Sequence, residues 1–342
     1  MTTHDLPFVS VVLPVRNEAG YIERCLRAVL AQDYPQDRLE IIAADGQSTD
    51  GTGTLLRECA ARYPALTVLE NTGRIVPTGL NLAIGQARGD VIVRVDGHCE
   101  IAPDYVRRCV AHLRDGADAV GGPLETIGET PMARAIALAM GSPFGVGNAA
   151  FRTVKDRTMT VDTVAFPAWP RAVLDRLGPF DEELVRNQDD EYNSRLREQG
   201  GTIRLAADIR SRYYGRATLR SLWRQYYQYG YWKVRVLQLH PRQMCLRQFV
   251  PPAFVLALLV LGLGALASSR ARVGLAGLVG LYAAATLLQS LRLAARMPVQ
   301  VLRLLAVFPA LHVAYGAGFL RGLVVFRGRW RAGLRRHAPV AS

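Results

Sequence analysis

The chain has 342 residues, of which half are apolar, so it can bury a large core and is not intrinsically disordered. Residues 1–208 carry 22 basic and 29 acidic side chains, whereas residues 209–342 carry 20 basic side chains and no acidic one. A uniformly basic nucleic-acid-binding protein would not divide its charge in this way. We therefore expect an acidic soluble domain followed by a basic membrane domain.

The cysteines and the first residues indicate the compartment. Five cysteines without a C-x-x-C pair argue against a disulfide framework or a zinc site and favour a reducing environment. The opening residues MTTHDLPF lack the basic and apolar regions of a signal peptide. We expect the N-terminal domain to be cytosolic.

The first two hundred residues alternate between strand and helix patterns. Buried, β-branched runs predict strands at residues 8–15, 39–44, 67–69, 91–95, 119–121 and 161–168. Apolar residues at helical spacing predict helices at residues 19–31, 52–62, 78–87, 103–114 and 189–199. This alternation predicts an α/β domain over residues 1–215 with a mainly parallel sheet. Residues 122–160, rich in Gly, Pro, Ser and Thr, predict a long loop or lid.

The last third of the chain predicts membrane contact. Residues 216–247 are basic and aromatic, which is typical of helices at the membrane interface. Within residues 248–342, the uncharged stretches 248–269 and 273–291 are long enough to cross a bilayer.

A third apolar segment, residues 297–326, contains Arg303, Pro309 and Arg321 and precedes five further arginines. The positive-inside rule disfavours those arginines outside the cell. This segment therefore predicts a bent re-entrant or interfacial hairpin with a cytosolic C-terminus; the alternative is a third plain span.

Polar residues follow three of the predicted strands. Pro14 to Glu18 ends the first strand, and Asn17 or Glu18 can contact a base or ribose there or can begin a helix. Asp45 ends the second strand and can accept from a uracil N3–H or a ribose hydroxyl. Ser48 and Asp50 follow it as candidate binding residues or as turn and cap residues.

Two further motifs carry carboxylates. Asp96 and His98 close the fourth strand, a pattern that suits a divalent metal on a diphosphate; the alternative is an Asp that caps the turn. Gln188 to Glu191 begin a helix, where a carboxylate can complement the helix dipole or act as a general base. The Rossmann glycine fingerprint does not follow the first strand, and the sequence contains no P-loop, which disfavours a dehydrogenase or a P-loop NTPase.

Together these motifs resemble those of the family 2 glycosyltransferases, which have a GT-A fold. SVVLPVRNE is similar to the opening strand of the family, ADGQSTDGT to its D-x-S-x-D-G-T element, and RVDGH to its D-x-D motif. GPFDEEL…NQDDEYNSRLREQGG is similar to G-x-F-D-E…E-D-x-D-L…R-L-x-x-x-G. RVDGH, NQDDE, the RQYYQYG stretch and the membrane tail further resemble the succinoglycan-type exopolysaccharide glycosyltransferases.

The resemblance assigns roles to several residues. Aligning Arg195-Leu196 with the R-L of the family makes Asp189 the catalytic base, with Asp190 as the second candidate. Two departures stand out, because His98 replaces the second Asp of D-x-D and Gln188 replaces the first acid of E-D. A degenerate Q-x-x-R-W motif on the acceptor side consists of Gln225, Gln228 and Tyr229.

The resemblance also implies an activity. We expect an inverting, membrane-bound enzyme that moves a hexose from a UDP-sugar to a hydroxyl of a polyprenyl-linked glycan. Mn²⁺ or Mg²⁺ would be held through Asp96 and His98, Asp45 would read uridine, and Arg94 would support the phosphates or serve only as a strand residue. The catalytic domain would face the cytosol at the bacterial inner membrane, with lipids and no nucleic acid as partners. The alternative is an inactive, membrane-anchored nucleotide-sugar-binding protein.

Overall fold

The computed structural model describes residues 6–295 and 297–330, which form two compact units. The sheet unit comprises Met1–Glu125 and Ala150–Tyr214, and the helical unit comprises Thr126–Ala149 and Gly215–Ser342. The predicted domain of residues 1–215 therefore differs in one respect, because residues 126–149 within it cluster with the C-terminal helices.

The strands, in chain order, are β1 (Val9–Val15), β2 (Leu39–Asp45), β3 (Leu66–Glu70), β4 (Val91–Arg94), β5 (Cys99–Ile101), β6 (Ala119–Gly122), β7 (Leu124–Ile127), β8 (Met159–Thr160), β9 (Ala165–Pro170), β10 (Ile203–Leu205) and β11 (Ser211–Tyr214). The helices are α1 (Ile22–Leu30), α2 (Thr52–Arg62), α3 (Val76–Gln86), α4 (Tyr105–Arg114), α5 (Pro131–Met140), α6 (Pro143–Val146), α7 (Ala150–Thr153), α8 (Arg171–Leu177), α9 (Gln188–Glu198), α10 (Leu219–Leu239), α11 (Val250–Gly264), α12 (Ser269–Leu293) and α13 (Gln300–Val325).

The described strands form two sheets. The larger has the order β3-β2-β1-β4-β9-β6-β10-β8, and the smaller has the order β5-β11-β7. All seven residues of β1 are buried, because helices cover both faces of the central strands. Val11 packs with Leu26 of α1 on one face, and Val12 packs with Leu80 of α3 on the other. The predicted α/β domain with a mostly parallel sheet is confirmed.

Three strands end together at one edge of the larger sheet, which we call the carboxyl edge. β1 runs parallel to both β2 and β4, so Val15, Asp45 and Arg94 all end there. The loops that follow these strands therefore meet at the same edge, where ligands bind in open α/β sheets.

Helix α9 also begins toward the carboxyl edge. β10 follows α9 after a short link and runs parallel to β6, while β6 and β4 are both antiparallel to β9. β10 thus runs in the same direction as β4, and the end of α9 lies where β10 begins. Tyr192 and Leu196 bury α9 against the sheet over a length of about 16 Å, so its first turn lies toward the carboxyl edge.

The prediction of a long loop or lid at residues 122–160 is wrong. The segment contains β7, α5, α6, α7 and β8. Helix α5 buries Ile136 and Met140 against Leu304 and Phe308 of α13. Its many small residues and two flanking turns concealed it, because the partner that buries it lies more than 160 residues further along the chain.

Glycines bring α10 and α13 into close contact. A Cβ at Gly318 would lie 2.0 Å from the carbonyl oxygen of Tyr227, and one at Gly230 would lie 1.9 Å from that of Tyr315. Gly322 approaches the Tyr231 carbonyl in the same way. The two helices therefore run side by side with their backbones in contact.

A histidine joins three elements of the helical unit. His312 of α13 donates from Nε2 to the carbonyl oxygen of Phe144 over 2.8 Å, because a carbonyl can only accept. The hydroxyl of Tyr282 on α12 lies 2.8 Å from the other ring nitrogen. These contacts fasten α6 to the two long helices.

Three helical stretches among the described residues are long and apolar enough to cross a bilayer: Leu246–Gly264, Ser269–Leu293 and Gln300–Val325. The hairpin predicted within residues 297–326 is wrong, because α13 is one continuous helix that includes Pro309. Whether α13 crosses a membrane stays a prediction. Residues 331–342, with most of the basic tail and the predicted cytosolic C-terminus, lie outside the described residues.

Candidate active site

The first two loops at the carboxyl edge are joined by hydrogen bonds. The backbone amide of Asn17 donates to the hydroxyl of Ser48 over 2.9 Å, and Oδ1 of Asn17 accepts from the amide of Thr49 over 2.8 Å. Asn17 makes both contacts from a left-handed backbone with φ of 55°, a conformation that Asn tolerates better than most residues. The loop after β1 is thereby fixed to the loop after β2.

Asp45, at the end of β2, is fixed from two sides. Its Oδ1 accepts from the amide of Ser48 over 3.2 Å and from the hydroxyl of Ser48 over 2.5 Å. Its Oδ2 lies over Gly53, where a Cβ would come within 2.7 Å of it. This carboxylate is half-buried and held in one orientation, as a residue that reads a base or ribose must be.

Asp50 serves the local structure. Its Oδ1 accepts from the amide and hydroxyl of Thr52, and its Oδ2 accepts from the amide of Ala19. Burial raises the pKa of Asp50, but these hydrogen bonds outweigh it and hold the pKa below its ordinary value. Both oxygens of Asp50 thus hold the turn and the start of α2, and a role for Asp50 in nucleotide binding stays a prediction.

A third loop, after β3, closes on Asp45. The amide of Asn71 donates to the Asp45 carbonyl, and Nε of Arg74 donates to Oε1 of Gln47 over 2.6 Å. Gln47 in turn donates to Glu70 over 2.7 Å. Sequence reasoning missed this network, because the left-handed backbones of Gln47 and Arg74 leave no signal in the residue types.

Asp96 follows β4 and is paired with Arg94. Nε of Arg94 donates to Oδ1 of Asp96 over 2.9 Å, and Nη2 donates to Oδ2 over 3.2 Å. The amide of Val95 donates to the carbonyl of Val12, so the backbone between them is part of the sheet. Asp96 is thus presented at the carboxyl edge on a rigid strand end.

His98 is paired with Glu18. Nδ1 of His98 lies 2.9 Å from Oε1 of Glu18, and Tyr213 packs edge-on against the imidazole. Burial lowers the pKa of His98, but the hydrogen bond to Glu18 outweighs it and raises the pKa to about 9. Glu18 and His98, both predicted to face the substrate, are therefore partners of each other, and their contact favours the protonated imidazole.

At the start of α9, Asp189 and Asp190 are half-buried and Glu191 is buried. Oδ1 of Asp189 accepts from the amide of Asp190 over 2.9 Å, while Glu191 forms a buried ion pair with Arg195. Arg195 also donates to the carbonyls of Leu177 and Pro179, which fixes the helix against the preceding loop. Glu191 is therefore structural, and Asp189 and Asp190 are the carboxylates left as candidates for a catalytic base.

The donor set partly fits a divalent metal. Asp96 offers the carboxylate oxygens that Mg²⁺ and Mn²⁺ prefer. His98 faces Glu18 through Nδ1, and this arrangement makes Nε2 the ring nitrogen that a neutral imidazole would offer to a metal. No group of three or more His, Cys, Asp or Glu side chains close enough to hold a metal occurs within residues 6–295 and 297–330. A metal here would take most of its ligands from substrate phosphates and water.

The predicted acceptor-side residues lie on α10 in the helical unit. Nε2 of Gln225 donates to the hydroxyl of Tyr229 over 2.9 Å, one turn along the helix. Gln225 is 7% exposed, and Gln228 is half-buried. Their role in acceptor binding stays a prediction.

Known proteins share this organisation. Residues 10–175 match the family model described as glycosyl transferase family 2. The chain is 31% identical over 331 residues to the succinoglycan biosynthesis protein ExoA of Rhizobium meliloti, covering 93% of this chain and 96% of that protein. It is 24% identical over 328 residues to a dolichyl N-acetyl-alpha-D-glucosaminyl phosphate 3-beta-D-2,3-diacetamido-2,3-dideoxy-beta-D-glucuronosyltransferase of Methanococcus voltae, covering 93% of this chain and 97% of that protein.

Solved structures share the fold. Mannosyltransferase PcManGT from Pyrobaculum calidifontis, in complex with GDP-Man and Mn²⁺, matches with a TM-score of 0.64 and 22% identity, covering 94% of this chain and 88% of that one. TarS 1-349 of S. aureus, in complex with UDP, matches with a TM-score of 0.52 and 17% identity, covering 95% and 91%. At such identities these matches describe architecture alone.

Proposed function

Because the chain belongs to glycosyl transferase family 2, we propose that it moves a hexose from a UDP-sugar to a hydroxyl of a lipid-linked glycan, with inversion at the anomeric carbon. The chain is a glycosyltransferase, and its sheet unit has the GT-A fold. One observation carries the finer proposal. Asp45 ends β2, Asp96 follows β4, and Asp189 lies in the first turn of α9, so all three are at or toward the carboxyl edge. Three carboxylates brought together there can divide the work of binding and catalysis.

Asp45 would bind the nucleoside. Its held carboxylate can accept from the uracil N3–H or from a ribose hydroxyl, with Asn17 and Glu18 beside it. Ser48 and Asp50 would act through the loops, since their side chains hold Asp45 and the helix start in place. Pro14 lies opposite Ala44 in the β1–β2 ladder, so we assign it to the strand end beneath the site.

Asp189 would act as the general base. It would accept the proton of the acceptor hydroxyl as that oxygen forms a bond to the anomeric carbon. The bond from the anomeric carbon to the β-phosphate oxygen breaks in the same step, and UDP leaves with the electron pair. A single displacement of this kind needs one base, and it inverts the anomeric configuration.

Asp96 would hold a divalent metal, Mn²⁺ or Mg²⁺, and His98 would offer Nε2 while its Nδ1 contacts Glu18. The metal would supply Lewis-acid stabilisation of charge on the diphosphate. Asp96 contributes a fixed, partly exposed carboxylate to this arrangement, with 22% of its side chain accessible. PcManGT, which shares the fold, binds Mn²⁺ together with GDP-Man.

The helical unit would hold the enzyme at a membrane. Arg220, Trp223 and Arg224 are exposed on one face of α10, a combination suited to phosphate headgroups and the bilayer interface. The apolar side chains of α11 and α12 are largely exposed, as lipid-facing side chains are. We propose the bacterial inner membrane with the sheet unit in the cytosol, where a polyprenyl-linked acceptor is available.

A donor screen tests the proposal. The purified full-length protein is incubated in detergent with a membrane lipid extract and UDP-, GDP- or dTDP-sugars, and the released nucleoside diphosphate is measured. We expect lipid-dependent release of UDP with one UDP-hexose. Release from a GDP- or dTDP-sugar alone would overturn the uridine assignment. No release from any donor, with or without lipid, would favour the inactive nucleotide-sugar-binding alternative.

A further inference from the structure

A buried arginine lies directly behind the Asp96 carboxylate. Arg94 is the last residue of β4, and β4 lies between β1 and β9 inside the larger sheet. The side chain of Arg94 is 7% exposed, whereas that of Asp96 is 22% exposed. Arg94 is therefore the more deeply buried partner, and Asp96 is the more exposed one.

The guanidinium of Arg94 contacts the carboxylate of Asp96 at two points. Nε and Nη2 of Arg94 donate to Oδ1 and Oδ2 of Asp96 over 2.9 and 3.2 Å. A planar fork that meets both oxygens fixes the rotation of the carboxylate as well as its position. Each oxygen keeps a second lone pair that Arg94 does not use.

The backbone beneath the pair is equally fixed. The carbonyl of Asp96 accepts from the amide of Cys99 over 3.1 Å, and the amide of Val95 donates to β1 over 3.0 Å. A Cβ at Gly97 would come within 3.1 Å of Cγ of Glu18, so the turn after Asp96 packs tightly as well. The Asp96 carboxylate, the end of β4 and the turn after it are therefore all held in fixed positions.

We propose that Arg94 is a positioning residue that orients the Asp96 carboxylate for the divalent metal, and that it acts through Asp96 rather than on the substrate phosphates. The inference rests on the proposed metal-binding function of Asp96. Hydrogen-bond partners behind a ligating carboxylate commonly change metal affinity by about 10- to 100-fold when they are removed. Lysine cannot replace arginine here, because an ammonium group offers a point charge without the fork.

The test compares Arg94→Lys and Arg94→Gln with wild type in the full-length protein. Mn²⁺ binding in the presence of UDP is followed by the electron paramagnetic resonance signal of free Mn²⁺, and UDP binding in EDTA is measured by calorimetry. Glu40→Gln is the matched control, since it removes the ion pair of the buried Glu40 of β2 with the exposed Arg88, away from the carboxyl edge. Thermal unfolding of each variant reports on the fold.

We expect both Arg94 variants to weaken Mn²⁺ binding by about 10- to 100-fold, with UDP affinity in EDTA within about twofold of wild type. Glu40→Gln should lower thermal stability without changing Mn²⁺ affinity. Should Arg94→Gln fail to fold, Arg94→Lys keeps the buried charge and carries the comparison.

Four results would overturn the inference. Unchanged Mn²⁺ affinity with weakened UDP binding in EDTA would mean that Arg94 contacts the phosphates. Full Mn²⁺ affinity in Arg94→Lys would mean that charge matters and orientation does not. If wild type itself binds no Mn²⁺ with UDP, the proposed metal fails along with the role of Arg94, whereas equal binding by wild type and variants removes only the role of Arg94.

Discussion

The hydroxyl of Ser48 donates to Oδ1 of Asp45 over 2.5 Å, and the same hydroxyl accepts from the amide of Asn17 over 2.9 Å. One side chain therefore connects the loop after β1 to the carboxylate at the end of β2. The orientation of Asp45 depends on both loops, so a change in either one should be measurable as a change in nucleotide binding.

Asp45→Ala should weaken UDP binding by the same factor with and without a divalent metal, because its proposed role is to bind the nucleoside and not the diphosphate. One lost hydrogen bond to a charged group, about 1.5–3 kcal/mol, corresponds to roughly 10- to 150-fold. Calorimetry with UDP in EDTA and in Mn²⁺ measures both values. A loss seen only with Mn²⁺ would move Asp45 to the metal site.

Gly53→Ala should weaken UDP binding without touching the nucleotide itself. The new Cβ would lie 2.7 Å from Oδ2 of Asp45, so the carboxylate must rotate away from its position. Gly85→Ala is the control, because within the described residues a Cβ at this position of α3 meets no atom within 4 Å. Equal UDP affinities in the two variants would show that the orientation of Asp45 is unimportant.

Asp189→Asn should lower turnover by about 10²- to 10⁴-fold and leave UDP affinity nearly unchanged, because a general base contacts the acceptor. Asp190→Asn is its neighbour control and should retain most of the turnover. Rates of UDP release under saturating donor and lipid decide between them. If Asp190→Asn is the inactive variant, the base is one residue further along α9.

Gly318→Ala should destabilise the helical unit by at least 1–3 kcal/mol, because its Cβ would lie 2.0 Å from the carbonyl oxygen of Tyr227 and force α10 and α13 apart. Gly277→Ala in α12 has no described atom within 4 Å of the new Cβ and should be neutral or slightly stabilising. Thermal unfolding in detergent compares the two. Similar melting temperatures would contradict the close packing of α10 on α13.

The lowered pKa of Glu40 predicts that the stability of the fold depends on pH. Burial raises the pKa of Glu40, but hydrogen bonds from Ser10 and Arg88 outweigh it and lower the pKa below its ordinary value of 4.5. A lowered folded-state pKa contributes stability that is present above pH 4.5 and is lost as the pH falls through the folded-state value. Glu40→Gln should therefore have a lower melting temperature than wild type at pH 7, and the difference between the two melting temperatures should narrow below pH 4.5. A constant difference from pH 7 to pH 3 would contradict this linkage.

The sequence was informative where local pattern and tertiary role agree. β1, β2 and β4 are β-branched or apolar runs, and polar residues follow them at once, so both the strands and the site edge were predictable. α8 and the short strands β5, β10 and β11 were missed, because three to seven residues carry too little periodicity. Their positions are set by contacts such as the ladder between Ser211 and Ile101.

The partners of the site residues were less predictable than the residues themselves. Asp96 and His98 were expected to share a metal, and the structure gives each a separate partner, Arg94 and Glu18. Glu18 lies eighty residues from His98, and no local pattern reports a contact at that separation. Spacing along the chain identifies which residues reach an edge, and packing decides how they pair there.

The contact of α5 with α13 has a consequence for biosynthesis. A ribosome adds about 5–20 residues per second, so roughly 8–30 s pass between the emergence of Met140 and that of the first turn of α13. During this interval Ile136 and Met140 lack the side chains that bury them in the finished protein. A nascent chain that stops after Tyr214 would carry the whole sheet unit and still expose α5. Such a truncation should be prone to aggregate, because burial of α5 depends on the later synthesis of α13.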